Sequence, residues 1–428
     1  MRFVHTADWH LGRLFHSVHL TDDQRYVLDQ FVDLVADVRP AAVLVAGDVY
    51  DRGVPPPEAV ELLNDVLERI VRGLGVPVVM IAGNHDSPTR LGFGSRLLSA
   101  EGLHIAGCLP PNGALAVPLA DDDGPLLVQA VPYADPIVVR DVLAEPDVPI
   151  QTHEQAMRAL TARARAATPP GTRTLLVGHA FVAGAEVSDS ERPITVGGAG
   201  TVPVSVFAGF DYVALGHLHR PQAAGAERVR YAGSLLTYSF NEVAQRKSVS
   251  IVEIGAPGSG GTEATGDAAG EAAAGGEAAA EGGEAAAGEA GGKPPASPAA
   301  ARVTVELVEL RPRRRVRIVE GTLHDILERA PAEEARDDYV CARLLDKGAL
   351  LNAMGQLQQA YPNCLHLEFP RLELTDGRSS ALVDRVTRSE GEHFARFFHE
   401  VTDDQLSADE SAAFGAVLQR LERRWRES

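Results

Sequence analysis

The chain has 428 residues, of which 45% are hydrophobic, and its formal net charge at pH 7 is −19. This length is too great for a single hydrophobic core, so two or three domains are expected. The acidic balance argues against a protein that binds nucleic acid unaided, because such proteins usually present a basic face.

Signals for secretion and for membrane insertion are absent from the sequence. No run of about 18 apolar residues could form a membrane span, and the first residues, MRFVHTADWH, lack the features of a signal peptide. Cys108, Cys341 and Cys364 are odd in number and widely spaced, so they predict neither a disulfide framework nor a zinc motif. We therefore expect a cytoplasmic protein without a membrane segment.

Residues 1–254 have the pattern of an α/β domain. Short apolar runs bounded by Gly, Pro or Asp predict strands at residues 3–5, 42–46, 76–81, 126–130, 174–177, 212–215 and 248–254. Helical patterns at 22–38 and 57–71 separate the early strands. Fully apolar strands such as AVLVA are typical of sheets buried on both faces, so helices are expected to cover the sheets.

Three further segments follow the α/β domain. Residues 255–301 consist almost wholly of Gly, Ala, Glu and Pro, which predicts a disordered linker. Residues 302–387 predict a small α+β capping domain that begins with strands at 303–310 and 316–320. Residues 388–428 predict a pair of helices.

The predicted helical pair carries two apolar stripes with helical spacing. They consist of Phe394, Phe397, Phe398 and Val401 on the first helix and of Phe414, Val417, Leu418, Leu421 and Trp425 on the second. Ser407 and Glu410 match a capping box at the start of the second helix. Such stripes need burial, either against each other and their own domain or against a partner protein.

Polar side chains follow five of the predicted strands, at the point where each strand ends. The stretches are Asp8-Trp-His10, Gly47-Asp48-Val-Tyr-Asp51, Gly83-Asn-His-Asp86, Gly178-His179 and Gly216-His-Leu-His219. In open α/β sheets, the carboxyl ends of the strands are where ligands bind. A single stretch of this kind would indicate only a turn or a structural histidine, but five in series predict one shared site.

The residue types in these stretches indicate a metal site. Asp, Asn and His supply oxygen and nitrogen ligands without any cysteine, a set that suits Mn²⁺, Fe²⁺ or Zn²⁺ and disfavours structural zinc. The number of candidate ligands is too large for one ion and fits two ions that share a bridge, an arrangement that can clamp a phosphate. The remaining histidines that we examined are expected to be structural: His5, His16, His19, His104 and His153.

The series D-x-H, GD-x-x-D, GNHD, GH and GHLH resembles that of the calcineurin-like metallophosphoesterases. The longer stretches HTADWHLGR, VAGDVYDRG, AGNHDS and DYVALGHLHRPQ are similar, within that family, to the nuclease subunits of bacterial double-strand-break repair complexes. The resemblance implies a four-layer sandwich of two β-sheets flanked by helices. It covers residues 1–254 and extends weakly into the later segments.

The resemblance also implies the roles of individual residues. One divalent ion would be bound by Asp8, His10, Asp48 and His219, and the other by Asp48, Asn84, His179 and His217. Mn²⁺ is the preferred metal of the resembling family. His85 would meet the scissile phosphate and protonate the leaving oxygen, and the Asp51 carboxylate would orient His85. Water would attack the phosphorus in line, without a covalent enzyme intermediate.

Substrate contacts are expected from several arginines. Arg13, Arg52 and Arg90 follow the metal motifs and could touch the DNA backbone. The arginine-rich run at 311–317 is compatible with a solvated strand face, with phosphate contact or with contact to a partner.

The function implied by the resemblance is that of a metal-dependent DNA exonuclease and endonuclease in repair, recombination and replication. It would degrade double-stranded ends from 3′ to 5′, open hairpins and cut single strands. Its partners would be DNA and a large coiled-coil ATPase docked on residues 388–428, with a nuclease homodimer inside a heterotetramer at the nucleoid. One alternative is a phosphodiesterase for small nucleotides, but such an enzyme would not need residues 302–428. The other is a non-catalytic scaffold, but such a protein would not need the complete set of metal ligands.

Overall fold

A computed structural model describes residues 1–143, 149–191, 200–256, 301–346 and 350–370, together with isolated residues between 394 and 417. The strands are β1 (Arg2–Thr6), β2 (Leu14–Phe15), β3 (Val18–His19), β4 (Ala42–Val45), β5 (Val78–Ile81), β6 (Leu103–Ala106), β7 (Leu115–Asp121), β8 (Gly124–Val131), β9 (Arg173–His179), β10 (Phe181–Val182), β11 (Thr201–Val202), β12 (Tyr212–Gly216), β13 (Gln222–Ala223), β14 (Val229–Tyr231), β15 (Ser248–Ile254), β16 (Val303–Glu309), β17 (Val316–Gly321), β18 (Tyr339–Leu344) and β19 (Cys364–Glu368). The α-helices are α1 (Thr21–Val38), α2 (Pro57–Glu68), α3 (Pro88–Leu91), α4 (Ser95–Leu98), α5 (Pro136–Leu143), α6 (His153–Ala166), α7 (Leu323–Arg329) and α8 (Ala353–Ala360).

Two six-stranded sheets form the centre of the molecule. The first has the order β16-β15-β1-β4-β5-β6, and the second has the order β13-β14-β12-β9-β8-β7. In the first sheet β1, β4, β5 and β6 run parallel, and in the second β8, β9, β12 and β14 run parallel. Parallel strands carry their carboxyl ends to the same edge of a sheet, and this is what assembles the polar stretches.

The two sheets pack face to face, and helices cover their outer faces. Phe3 and Leu44 of the first sheet and Tyr212 of the second lie in one fully buried core between the sheets. A second core packs Phe31 of α1 against the outer face of the first sheet, and a third packs Leu160 of α6 against the second sheet. The predicted four-layer sandwich is therefore confirmed, and burial from both sides explains why its central strands are wholly apolar.

The local sequence sets the ends of the flanking helices. α2 begins with Pro57. An N–H group in the first helical turn has no acceptor within the helix, and proline lacks this group, so it is favoured there. The start of α6 has a full capping box, in which the Thr152 hydroxyl accepts from the Gln155 amide and the Gln155 side chain accepts from the Thr152 amide. These ends hold the helices at fixed lengths over the two sheets. None of the helices in the described part of the chain is long and apolar enough to cross a membrane.

The strand at 303–309 corrects the predicted domain boundary. We assigned it to the small domain, but β16 pairs with β15 in antiparallel register from Ile254 opposite Val303 to Ser248 opposite Glu309. The Gly255 amide also donates to the Arg302 carbonyl at 2.9 Å. The prediction failed because the intervening composition resembles an interdomain linker. Residues 257–300 fall outside the described residues, but they connect the adjacent ends of two paired strands and not two domains.

The small domain therefore begins at β17. Its parallel sheet has the order β17-β18-β19, and α7 and α8 pack on it around Ile326 and Leu357. The domain is fastened to α1, because Arg314 and the Tyr339 hydroxyl both donate to the buried Asp23 carboxylate, at 3.1 and 2.8 Å. Arg314, one member of the arginine-rich run, therefore makes a structural contact between the small domain and α1.

A second arginine of that run is also occupied within the small domain. Arg317 pairs with Glu333 at 3.1 Å and with Asp338 at 2.8 Å. The exposed arginines of the run are Arg311, Arg313 and Arg315. Contact with DNA or with a partner, two of the interpretations left open for the run, therefore concerns these three residues.

The predicted helical pair lies mostly outside the described residues, including Phe397, Val401, Leu418, Leu421 and Trp425. The capping box is present: the Ser407 hydroxyl accepts from the Glu410 amide at 3.3 Å, and the Glu410 carboxylate accepts from the Ser407 amide at 2.9 Å. Phe394 stacks on Phe414 with ring centroids 3.9 Å apart. Phe394 and Phe414 therefore contact each other, and burial of the other stripe residues against a partner protein stays a prediction.

The position of residues 257–300 leads to a testable prediction. Replacing them with an Asn-Gly turn should preserve the fold and raise the free energy of unfolding by up to about 2–3 kcal/mol, because a much shorter loop costs less closure entropy. A shuffled segment of the same composition is the control and should leave stability unchanged. Urea unfolding followed by circular dichroism measures both, and loss of the folded state in the short variant would contradict the hairpin arrangement.

Candidate metal centre

The five polar stretches meet at one edge of the sandwich. Asp8 and His10 follow β1, Asp48 follows β4, and Asn84 follows β5, all at the carboxyl edge of the first sheet. The second sheet supplies three histidines at the adjoining edge, where β9 ends in His179 and β12 is followed by His217 and His219. The site therefore exists only because the two sheets converge at this edge.

Three glycines allow the loops to approach so closely. A Cβ atom on Gly47 would lie 2.5 Å from His179 Nδ1, and one on Gly83 would lie 2.2 Å from Asp48 Oδ1. A Cβ atom on Gly216 would lie 2.0 Å from the Ala46 carbonyl oxygen, so this glycine lets the end of β12 reach the end of β4. The glycines of Gly47-Asp48, Gly83-Asn84 and Gly216-His217 are thus a packing requirement of the site, whereas Gly178 has room for a Cβ atom.

The first group of ligand atoms surrounds His10. Its Nε2 atom lies 3.0 Å from His219 Nε2 and 3.8 Å from Asp48 Oδ2. Asp8, His10 and Asp48 also form a cluster whose ligand atoms all lie within 4.8 Å of one another. A nitrogen pair about 3 Å apart is what two imidazoles sharing one ion at ~2.1 Å would show.

The second group surrounds Asn84. Its Oδ1 atom lies 2.9 Å from His179 Nε2 and 3.1 Å from His217 Nδ1. His179 Nε2 is in turn 3.6 Å from Asp48 Oδ2, the same oxygen that faces His10. The Asp48 carboxylate thus lies between the two groups, where the sequence analysis placed the bridge.

The backbone is strained at four of the predicted ligands. Asp8, His10, Asp48 and His217 have positive φ angles of 52°, 45°, 48° and 110°, a region that residues other than glycine rarely adopt. Such strain costs on the order of 1–3 kcal/mol per residue and persists only where the surroundings enforce it. Its concentration here is typical of a functional site.

Burial keeps the imidazoles neutral. Desolvation lowers the pKa of His179 and of His219 to about 4, and it lowers the pKa of His10 and of His217 well below the usual range. Neutral imidazoles are the form that binds metals. The same burial, together with the charge of Asp48, raises the pKa of Asp8. The positive charge of a divalent cation would stabilise two buried carboxylates among neutral imidazoles, so the residues fit a metal centre.

The structure corrects the predicted contact between Asp51 and His85. His85 Nδ1 donates to the Asp51 backbone carbonyl at 2.8 Å, whereas the Asp51 carboxylate pairs with Arg13 at 3.0 Å and lies 3.7 Å from His10 Nδ1. The cause is the local turn, which presents the carbonyl of Asp51 to His85. Asp51 therefore orients His85 through its backbone, and any residue at this position would supply that carbonyl.

His85 lies beside the predicted ligands, and with His10 and Asp51 it forms a further cluster whose ligand atoms lie within 4.8 Å of one another. Its amide donates to Asp48 Oδ1 at 2.9 Å, and its Nε2 atom is 4.0 Å from Asp48 Oδ2. The side chain is 8% exposed. With Nδ1 engaged by the carbonyl of Asp51, Nε2 is the atom that faces the site.

The three predicted substrate arginines have different surroundings. Arg13 is mostly buried, with its guanidinium 4.9 Å from the centre of the Tyr238 ring in addition to its ion pair with Asp51. The Arg90 guanidinium donates to the Gly53 carbonyl at 2.7 Å. Half of the Arg52 side chain is exposed at the rim of the site. Arg52 and Arg90 are thus better placed for substrate than Arg13.

Several residues that support the site escaped the sequence analysis. The Asp86 carboxylate accepts hydrogen bonds from the amides of Val49, Tyr50 and Gly83, and so ties the loop of Asp48 to that of Asn84. Burial and the charge of Asp48 raise the pKa of Asp86 to about 6. The position of Asp86 in the GNHD stretch could have identified it from the sequence. Glu242 and Lys247, which contact His219, belong to no motif in the sequence.

Comparison with known proteins agrees with this geometry. The family model described as calcineurin-like phosphoesterase matches residues 1–221, more than half of the chain. The chain belongs to the calcineurin-like phosphoesterase family. Membership in this family, together with the buried cluster of His and Asp, implies that the site binds divalent metal ions.

Two relatives are similar to the chain over almost its full length. The chain is 27% identical to the D subunit of the nuclease SbcCD of Staphylococcus saprophyticus, over 98% of each chain, and 28% identical to the protein of the same name from Staphylococcus epidermidis, over 96% of each chain. A further family model, described as the type 5 capsule protein repressor C-terminal domain, matches residues 312–402. The likeness therefore includes the small domain as well as the metal centre.

Solved structures match over a little more than half of the chain. One is the protein TT1561 of Thermus thermophilus, at 15% identity and a TM-score of 0.32, covering 58% of this chain and 92% of that one. Another is a dimetal phosphatase from Danio rerio, at 15% identity and a TM-score of 0.34, covering 54% of this chain and 86% of that one.

Proposed function

We propose that the chain is the nuclease subunit of an SbcCD-type complex, a metal-dependent hydrolase that cuts DNA phosphodiester bonds. The observation that carries the proposal is the group of seven candidate ligands, six of them buried and Asp48 at their centre, with His85 beside it. Full-length similarity to proteins named as the D subunit of the nuclease SbcCD supports DNA as the substrate. The activities proposed are 3′→5′ exonuclease on double strands and endonuclease on hairpins and single strands.

The two groups of ligands support a two-ion assignment. One ion would be bound by Asp8, His10, Asp48 and His219, and the other by Asp48, Asn84, His179 and His217. The short separations within each group and the central position of Asp48 support this division. The mixture of oxygen and nitrogen ligands without sulfur suits Mn²⁺.

The chain's own residues provide positioning and a proton. When bound, the ions would activate water and offset the negative charge of the phosphate. His85 donates its Nδ1 hydrogen to the carbonyl of Asp51, so the ring acts as a general acid in its imidazolium form, in which Nε2 carries the second hydrogen and passes it to the leaving oxygen. The half-exposed guanidinium of Arg52 lies beside the Asp51 carboxylate and that of Arg90 at the Gly53 carbonyl, and both would contact the phosphate backbone.

The small domain and the strained candidate ligands argue against the two alternative functions, a phosphodiesterase for small nucleotides and a non-catalytic scaffold. A phosphodiesterase for small nucleotides has no need of a domain fastened to α1 through Asp23, and the likeness to the relatives extends over that domain. A non-catalytic scaffold would have no reason to keep strained, buried ligands in two groups. Both alternatives are therefore less favoured than the nuclease.

Replacement of His85 by Leu tests the catalytic assignment. Nuclease activity on a Mn²⁺-supported hairpin substrate should fall at least ~100-fold, because a general acid of this kind contributes ~10²–10⁴-fold. Binding of Mn²⁺, followed by calorimetry, should be nearly unchanged. The matched control is His104→Leu, which alters a histidine of β6 away from the cluster and should leave activity intact. Retained activity in His85→Leu, or loss of both ions, would reject the assignment.

The partner protein follows from the names of the relatives. We propose an SbcC-type coiled-coil ATPase that docks on residues 388–428 and supplies much of the grip on DNA that a chain of charge −19 lacks. Co-purification of a chain truncated at residue 387 with the ATPase would contradict this docking site. Such a complex would act in DNA repair, recombination and replication at the cytoplasmic nucleoid.

An exposed apolar patch supports a homodimer within that complex. Phe93 is 84% exposed and Leu97 is 82% exposed, on the short segment of α3 and α4 that follows the metal loops. Large apolar side chains clustered at the surface are typical of protein interfaces. We propose that two copies of the chain meet at this patch and that two ATPase subunits complete a heterotetramer.

A double variant tests the dimer. Phe93→Ser with Leu97→Ser should convert the purified chain to a monomer in analytical ultracentrifugation, because the interface would lose its central apolar contacts. The control is Leu351→Ser, which removes an equally exposed apolar side chain, 89% exposed, from the small domain and should leave the dimer intact. A wild-type chain that sediments as a monomer at micromolar concentration would contradict the proposal.

A further inference from the structure

His219 is contacted at both nitrogens of its ring. Its Nε2 atom faces His10 in the metal centre at 3.0 Å. Its Nδ1 atom faces away from the centre, 2.6 Å from the Ser190 hydroxyl and 3.2 Å from Glu242 Oε1. A neutral imidazole has one nitrogen that donates and one that accepts, so these contacts decide which nitrogen can bind a metal.

The carboxylate of Glu242 determines where the hydrogens lie. The Ser190 hydroxyl is in close contact with Glu242 Oε1, and an ionised carboxylate can only accept. The Ser190 hydrogen therefore points to Glu242, and the Ser190 oxygen is left to accept from His219. Both neighbours of Nδ1 require a hydrogen on it, so the lone pair of the ring is on Nε2.

Lys247 keeps this carboxylate ionised and in place. Its ammonium donates to Glu242 Oε2 at 2.8 Å and to the His219 carbonyl at 2.9 Å. The Tyr238 amide donates to the same carboxylate oxygen at 3.0 Å. Glu242 is fully buried, and the ammonium of Lys247, also buried, supplies the opposite charge beside it.

The segment that carries Glu242 is fixed by its neighbours. Phe240, two residues earlier, lies against Phe15 with ring centroids 5.1 Å apart and stacks on His366 of the small domain at 6.2 Å. The contrast with His10 is informative, because His10 Nδ1 is buried without a hydrogen-bond partner. Of the two imidazoles that face each other in the first group, only His219 has its tautomer set by hydrogen bonds.

We propose that Glu242, held by Lys247, is a positioning residue that fixes His219 as the Nδ1–H tautomer and directs Nε2 to the metal. The inference deepens the proposed function, since it rests on His219 being a ligand. A carboxylate behind a histidine ligand typically changes metal affinity by about 10- to 100-fold. The first ion should therefore depend on Glu242 much more than the second.

The wild-type chain gives the first test, without metal and without activity. Nitrogen-15 spectra of the histidine rings, with His219 assigned by its absence in His219→Asn, distinguish a protonated from an unprotonated ring nitrogen. In the chelator-treated full-length chain, we expect a hydrogen on Nδ1 and a lone pair on Nε2. A hydrogen on Nε2 would overturn the proposal.

Glu242→Gln gives the second test, because it keeps the size of the side chain while it replaces one acceptor oxygen by an NH₂ donor and removes one negative charge. Lys247 and the Tyr238 amide both donate, so the carbonyl of the new amide should turn toward them. Its NH₂ group then faces Ser190 and His219, which inverts the tautomer. Calorimetry should show one Mn²⁺ bound about 10- to 100-fold more weakly and the other unchanged. Two ions bound with wild-type affinity would overturn the proposal.

Two control variants separate the tautomer from other effects. Glu191→Gln removes a nearby negative charge but keeps an acceptor for the His219 amide, which donates to Glu191 at 2.7 Å. If lost charge were the cause, this variant would weaken the first ion as much as Glu242→Gln does; we expect a clearly smaller effect. Ser190→Ala should retain the Nδ1–H tautomer, because Glu242 still accepts from His219 directly.

The outcomes also separate this inference from the proposed function. If the chain binds two Mn²⁺ ions and cuts DNA while His219 is in the Nε2–H form, the proposed function stands and the role of Glu242 as a positioning residue is rejected. An Nδ1–H tautomer in a chain that binds no Mn²⁺ would reject the metal centre instead. Should Glu242→Gln fail to fold, the spectra of the wild-type chain decide the question alone.

Discussion

The burial of two carboxylates, Asp8 and Asp48, among neutral imidazoles is the interaction on which the rest of the structure depends. Desolvation opposes the ionised form of Asp8, and the neighbouring charge of Asp48 opposes it further. The fold holds them there through positive φ angles and through glycines that admit no Cβ atom. A protein that needed only a stable core would gain nothing from this arrangement, whereas bound divalent ions would compensate for it.

The architecture follows from the need to bring ligands from two sheets to one carboxylate. β1, β4 and β5 deliver Asp8, Asp48 and Asn84, and β9 and β12 deliver the histidines from the other side of the central core. Layers of contacts behind the ligands keep them in place, with Asp86 joining two loops and Glu242 supporting His219. The small domain contacts this support through His366 and Phe240, so its docking on α1 bears on the metal centre.

The meeting of the candidate ligands at one edge was predictable from the sequence, because each of the five polar stretches follows its own strand and the strand ends of parallel sheets converge. Other features depend on contacts that no local pattern encodes. β16 was assigned to the wrong domain, because a long Gly- and Ala-rich stretch hid its pairing with β15. The Asp51 side chain was given a role that belongs to its backbone carbonyl, since a sequence does not show which acceptor a turn presents. Lys247 and Glu242 acquire their role only where the folded chain brings them to His219.

The central claim is that one carboxylate, that of Asp48, joins two metal sites. A calorimetric titration of Mn²⁺ into the full-length chain and into Asp48→Asn and His217→Ala tests it most directly. The wild-type chain should bind two ions; Asp48→Asn, which keeps the acceptor for the His85 amide, should weaken both, and His217→Ala should remove only one. An Asp48→Asn chain that still binds one ion with wild-type affinity would contradict the bridge and with it the two-ion phosphodiesterase mechanism.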